Sequence, residues 1–168
     1  MISISFVVNG QYFDDISVEP NQTLLDFLRE LGVKSVKKGC GEGDCGACGV
    51  IIDGIYVKSC LVLAAQANGR EILTVESLGT VEEPHPLQVA FVDEGAVQCG
   101  YCIPSMLLAA ERLLNRIPDP DENEIRQALD GNLCRCTGYV KQISAVQKAA
   151  QMMIAPETVA VPVTSPYS

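Results

Sequence analysis

The chain has 168 residues, 48% hydrophobic and 20% charged, with a formal net charge of -9. That composition can bury a core in one domain or two small ones, and it excludes an intrinsically disordered chain. Its 21 acidic against 12 basic residues argue against nucleic-acid binding, and no run reaches the roughly 18 apolar residues of a membrane span.

The start, Met1-Ile2-Ser3-Ile4-Ser5-Phe6, lacks the basic residues and apolar block of a secretory signal, so a cytoplasmic location is expected. Ile2, Ile4, Phe6 and Val8 alternate with Ser3 and Ser5 and predict a half-buried strand. Asn9-Gly10 is a hairpin turn, and residues 11–18 form the return strand. Thr23 is placed to cap a helix whose stripe is Leu24, Leu25, Phe27, Leu28 and Leu31 and whose stop is Gly32. Val50-Ile51-Ile52, Asp53-Gly54 and Ile55-Tyr56-Val57 predict a second hairpin, and residues 72–75 a last strand. The product is a small mixed sheet with a helix across it.

From Pro86 the pattern turns helical. Segments 87–93, 104–115, 121–129 and 140–153 are expected helices, with Pro86 and Pro104 in first turns where a missing N–H costs nothing. The fold class expected is α+β, with one domain over 1–78, a linker over 79–85 and a second domain over 86–154. Residues 155–168 hold three prolines and no helical period, and an extended tail is expected there.

Eight cysteines dominate the chemistry, beside a single histidine, His85. Without an export signal, clustered cysteines point to metal ligation rather than disulfides. With one histidine, a catalytic zinc or non-haem iron site lacks its usual ligands. Cys40-x4-Cys45-x2-Cys48 with a distant Cys60 matches the plant-type ferredoxin spacing. Glycines 41, 43, 46 and 49 let the backbone wrap closely and aim amide groups at sulfur. Zinc, the alternative, favours two matched pairs. The second set is Cys99-x2-Cys102 and Cys134-x-Cys136. Each pair stands just before an expected helix, where free N–H groups and positive potential favour thiolates. Alone it is ambiguous between a redox dithiol, zinc and a cluster. Two complete sets of four, with none left over, favour two clusters.

Residues 39–48 (Gly-Cys-Gly-Glu-Gly-Asp-Cys-Gly-Ala-Cys), 98–102 (Gln-Cys-Gly-Tyr-Cys) and 131–139 (Gly-Asn-Leu-Cys-Arg-Cys-Thr-Gly-Tyr) resemble the iron–sulfur small subunits of the molybdenum hydroxylases. That family includes xanthine dehydrogenase, aldehyde oxidoreductase and carbon monoxide dehydrogenase. The resemblance spans about residues 3–150 with all eight cysteines in order. It implies a plant-ferredoxin-like β-grasp domain followed by a four-helix domain, each with one [2Fe–2S] cluster. It also implies a large partner subunit with molybdopterin and a medium subunit with FAD. No catalytic residue is expected on this chain. Electrons would pass from molybdenum through the 99/102/134/136 cluster and then the 40/45/48/60 cluster toward FAD or an external acceptor. Gln98 and Cys136 would contact the pterin. Residues 35–40 are similar to bacterial xanthine dehydrogenase small subunits, which points to a purine or other N-heterocycle as substrate. Gly49, Ile103, Ser105 and the run Val140-Lys141-Gln142 depart from the family's usual residues, and none is a ligand.

Other readings stand beside these. Gln98 is also a plausible helix-end or solvated residue. Arg135 could tune a cluster or pair with a surface carboxylate. Tyr101 and Tyr139 read as packing residues with a polar handle rather than electron relays, and His85 as exposed and inert. A free-standing two-cluster ferredoxin or redox sensor is the alternative function class. A zinc-stapled scaffold is the third, and it would be colourless.

Overall fold

The computed structural model describes residues 1–155, so the tail expected over 155–168 lies outside the described residues apart from Ala155. Asn9 and Gly10 both take positive φ, 49° and 80°, and this turn folds β1 (Ile2–Val8) against β2 (Gln11–Val18). Their pairing is not regular. Ile4 faces Ile16 but Phe6 faces Phe13, so three steps on β2 match two on β1. The extra residue is absorbed as a bulge, with Asp15 at φ 51°. Strict alternation would put positions 13 and 16 on opposite faces. The bulge lets both Phe13 and Ile16 pack on the same core.

Thr23 Oγ1 accepts from the Asp26 amide and caps α1 (Leu24–Glu30). Leu24, Leu25, Phe27 and Leu28 bury against the sheet. Phe6 stacks on Phe13 and meets Phe27 edge-on, with centroids 5.2 and 5.3 Å apart. β3 (Gly49–Ile52) and β4 (Ile55–Lys58) form the second hairpin, and β5 (Glu71–Leu73) completes the sheet in the order β2-β1-β5-β3-β4. The β1–β5 pair is parallel and the others antiparallel. β5 stops short of the expected Val75 because the Thr74 amide turns to Asn9 Oδ1, at 2.8 Å.

After Leu73 the chain makes a short 3-10 turn at Val75–Ser77. It then packs a tight bend in which a Cβ on Gly79 would stand 2.6 Å from the His85 amide. His85 is not the exposed, inert residue expected. It is half-buried, and its Nδ1 accepts from the Leu87 amide at the start of α2 (Pro86–Asp93). Three further helices follow: α3 (Ile103–Arg116), α4 (Glu122–Leu129) and α5 (Val140–Ile154). Leu87, Phe91, Met106, Leu113, Ile125 and Val146 form their common core. Each large apolar side chain so buried contributes about 1.5–3 kcal/mol. Buried alanines at 90, 145 and 149 suit close approach, and α2 and α5 pack extensively on one another.

The sheet and the helices share a face. Val50 and Ile52 point into the α1-side core, which leaves Gly49 and Ile51 on the opposite face by strand alternation. That face receives α3, so all four residues of β3 are buried.

Candidate metal centres

The loop from α1 into β3 carries the first three cysteines. Gly41, Gly43 and Gly46 hold φ of 78°, 90° and 70°, a backbone that turns its amides inward. The Cys45 and Glu42 amides donate to Cys40 Sγ at 3.4 Å, and the Cys40 amide donates to Cys45 Sγ at 3.3 Å. These N–H groups, Cys45 first and then Glu42, lower the Cys40 thiol to about 6. Lys58 Nζ holds the Gly43 carbonyl at 2.6 Å. Ser59 Oγ donates to the Cys48 carbonyl at 2.7 Å and ties Cys60, which follows it, to the loop. Burial pushes the Cys60 thiol up to about 11, with Cys48 beside it adding to the rise.

The second set spans two helix junctions. Cys99 and Cys102 flank Gly100, at φ 80°, and Cys102 stands at the N-terminal cap position of α3. Cys134 and Cys136 lie between α4 and α5. The Cys134 amide donates to Tyr139 Oη at 2.7 Å, and Tyr139 itself takes φ 69° at the entry to α5. Burial, then Cys134, pushes the Cys102 thiol up to about 12. Burial would also raise Cys134, but hydrogen bonds from the Thr137 side chain and the Cys136 and Thr137 amides outweigh it and hold that thiol at about 6. Contact with Cys99 raises Cys136.

All eight thiols are free. They meet in pairs: Cys40 with Cys45, Cys48 with Cys60, Cys102 with Cys134, and Cys99 with Cys136. Among the described residues no three metal-ligating side chains converge as a single ion requires. Two pairs per set suit a two-iron group, which takes two thiolates on each iron.

The two loops touch. The Leu133 amide, next to Cys134, donates to the carbonyl of Cys45 at 2.9 Å. A Cβ on Gly46 would sit 2.0 Å from the Gly131 carbonyl oxygen, so residue 46 must be glycine for the loops to approach. Between them lies a buried polar knot. Ser105 Oγ accepts from the Gly49 amide at 3.1 Å and donates to the Gly46 carbonyl, while Tyr56 Oη lies 2.7 Å from Ser105 Oγ and donates to Asn132 Oδ1 at 2.8 Å. Burial raises the Tyr56 hydroxyl pKa and keeps it a donor.

A family described as a 2Fe-2S iron-sulfur cluster binding domain matches residues 7–74, and one described as a [2Fe-2S] binding domain matches residues 74–147. The nicotinate dehydrogenase small FeS subunit of Eubacterium barkeri is 50% identical over 151 residues, covering 89% of this chain and 96% of that one. The xanthine dehydrogenase iron-sulfur-binding subunit of Escherichia coli is 43% identical over 150 residues, covering 86% and 92%. Quinoline 2-oxidoreductase from Pseudomonas putida 86 superposes with a TM-score of 0.85 at 42% identity, covering 90% and 94%.

The chain belongs to the iron–sulfur small subunits of the molybdenum hydroxylases. It is the electron-transfer component of such an oxidoreductase, and it works with iron–sulfur clusters and with large partner subunits. Its clusters supply one-electron acceptance and donation. The chain's own residues supply thiolates, amide donors and a fixed distance between the two loops.

In this small subunit Cys99, Cys136 and Cys40 are exposed, whereas Cys48, Cys60 and Cys102 are buried. Gln98 is exposed beside Cys99, and Arg135 is exposed and makes no ion pair among the described residues. Tyr101 Oη donates to the Lys38 carbonyl at 2.7 Å, so it ties the second site's turn to the first site's loop. Tyr139 Oη accepts from the Cys134 amide, so both tyrosines pack with their polar ends engaged. Sequence reasoning missed Tyr56, Ser105, Asn132, Thr137 and Gln142. The available signal was that Gly49 and Ser105 both depart from the family's usual residues. They meet in space, and the serine hydroxyl fills the position a side chain on residue 49 would need.

Proposed function

We propose that Cys40, Cys45, Cys48 and Cys60 hold one [2Fe–2S] cluster and Cys99, Cys102, Cys134 and Cys136 the other. On this reading residues 1–78 are a β-grasp ferredoxin-like module, 79–85 the connection and 86–154 a four-helix cluster domain. Electrons enter at the 99/102/134/136 site and leave by the 40/45/48/60 site. The observation that carries this reading is the disposition of the sulfurs. Each set has an exposed member for a partner to approach, and the Leu133–Cys45 hydrogen bond joins the two sets on their inner sides. Exposed Gln98 and Cys136 form the face toward the pterin of the large subunit. Gln98 brings both amide donors and an acceptor to it. The FAD-bearing medium subunit approaches Cys40. The nicotinate and quinoline enzymes among the relatives support an N-heteroaromatic substrate for the complex, a class that also includes the purines. No helix among the described residues is long and apolar enough to cross a membrane, and a cytoplasmic complex accords with clustered cysteines used for metal rather than for disulfides.

The test is metal analysis with paramagnetic resonance on the purified complex. Iron and acid-labile sulfide should each reach about four per chain, two per cluster. Cys45→Ser should remove one signal and keep the other. Zinc in place of iron, or loss of both signals from a folded variant, refutes the assignment. An 18.0 kDa monomer with no larger chains attached would favour a free-standing ferredoxin instead.

A further inference from the structure

Gln142 is fully buried in the first turn of α5, in a helix whose other inward residues are apolar. Its Oε1 accepts from Thr137 Oγ1 at 2.7 Å, and its Nε2 has no partner. Thr137 Oγ1 in turn lies 3.1 Å from Cys134 Sγ. A buried amide with an orphan N–H is a cost that leucine or isoleucine would avoid. The amide therefore requires an explanation in what surrounds it, and through the Thr137 hydroxyl it reaches the Cys134 sulfur.

We propose that Gln142 is a positioning residue that sets the reduction potential of the cluster on Cys99, Cys102, Cys134 and Cys136. The hydroxyl of Thr137 has a single hydrogen, and a half-turn of the Gln142 amide brings the orphan N–H to Thr137 Oγ1 and leaves that hydrogen for the Cys134 sulfur, 3.1 Å away, when a thiolate there demands a donor. This rests on the ligand assignment proposed above. Reduction adds one negative charge to a cluster already negative from four thiolates. Donors aimed at a ligand sulfur favour the more negative state and raise the potential. The device is built from residues 134, 137 and 142 alone. It would make the second cluster a better acceptor for electrons arriving from the molybdenum side.

The experiment is a redox titration of the assembled complex, followed by paramagnetic resonance. Gln142→Met keeps the length of the side chain and removes the N–H. At a fixed ambient potential the reduced-to-oxidised ratio of the 99/102/134/136 cluster should fall about tenfold, about 59 mV for a one-electron couple. The 40/45/48/60 cluster should not move. Thr137→Val should shift the same cluster in the same direction, and the double variant should add less than the sum. A change below twofold with both signals present overturns the proposal, as does an equal shift in both clusters. Should Gln142→Met lose the second signal, Gln142→Leu is titrated in its place. Loss in both shows a role in cluster assembly and also overturns the proposal. A second signal that survives Cys134→Ala would instead sink the ligand assignment, and the two failures are separable.

Discussion

Gly46→Ala is the most direct test of the contact between the two cluster loops. The added Cβ would stand 2.0 Å from the Gly131 carbonyl oxygen, 2.9 Å from its carbon and 3.0 Å from Asn132 Cα. All three are backbone atoms, so no side chain can swing aside. Relief requires the loops to part by about 1 Å, because contacts below about 3 Å are repulsive. That strains the 2.9 Å Leu133–Cys45 hydrogen bond. Overpacking costs about 1–3 kcal/mol, and the lost hydrogen bond about 0.5–1.5 kcal/mol. Positive φ for alanine adds about 1–2 kcal/mol. Gly54→Ala controls for that last contribution: Gly54 has φ 81°, and its Cβ would meet nothing within 4 Å. The difference between the variants is then about 1.5–4.5 kcal/mol from crowding and the broken bond. At about 2–4 °C per kcal/mol for a chain of this size, the cluster-loaded Gly46→Ala subunit should melt at least about 3 °C below Gly54→Ala. Magnetic coupling between the two reduced clusters should also weaken. Equal melting temperatures with unchanged coupling would refute the reasoning.

Ser105→Ala should lower stability by about 1–2 kcal/mol, toward the low end for a buried hydroxyl, because the Gly49 amide keeps a second acceptor in the Gly46 carbonyl at 3.2 Å; chemical denaturation of the loaded subunit measures it. His85 is half-buried, and burial lowers its pKa below the ordinary 6.5. The unfolded chain therefore binds more protons just below 6.5, and stability should fall as pH drops through that range. Asn caps without titrating, so denaturation midpoints of His85→Asn should lose this pH dependence while keeping most of the 0.5–2 kcal/mol that a helix cap supplies, on the order of 1 kcal/mol. Gln98→Ala should leave iron content unchanged and slow substrate-driven cluster reduction in rapid mixing, with reduction from the flavin side at its normal rate. Unchanged substrate-driven rates and molybdenum content would make Gln98 a helix-end residue.

Much of this architecture is local and therefore legible in the chain. Asn9-Gly10 and Asp53-Gly54 specify their own turns through positive φ, Thr23 its own cap, and Pro86 and Pro104 their own helix starts. The Cys-x4-Cys-x2-Cys loop announces its chemistry because three thiols and their glycines lie within ten residues. The β2 bulge was not legible, since Asp14-Asp15 looks like ordinary strand polarity until Phe13 and Ile16 must share one core. Nor was the role of His85, whose flanking prolines suggested an exposed linker rather than a packed cap.

What the sequence determined by itself is thus the set of elements and the two groups of four thiols, because spacing along a chain constrains whatever is built within a few residues. The tertiary structure alone decided how the two groups face each other. Gly46 against Gly131, Leu133 on the Cys45 carbonyl, and Ser105 with Tyr56 and Asn132 join residues 27 to 88 positions apart in the chain. Gln142 lies only eight positions from Cys134, yet its part also waited on the tertiary structure, because burial is what gives a polar side chain there its meaning. No local pattern encodes such contacts, since they exist only when separate elements bring their backbones to within hydrogen-bond distance and shut out water.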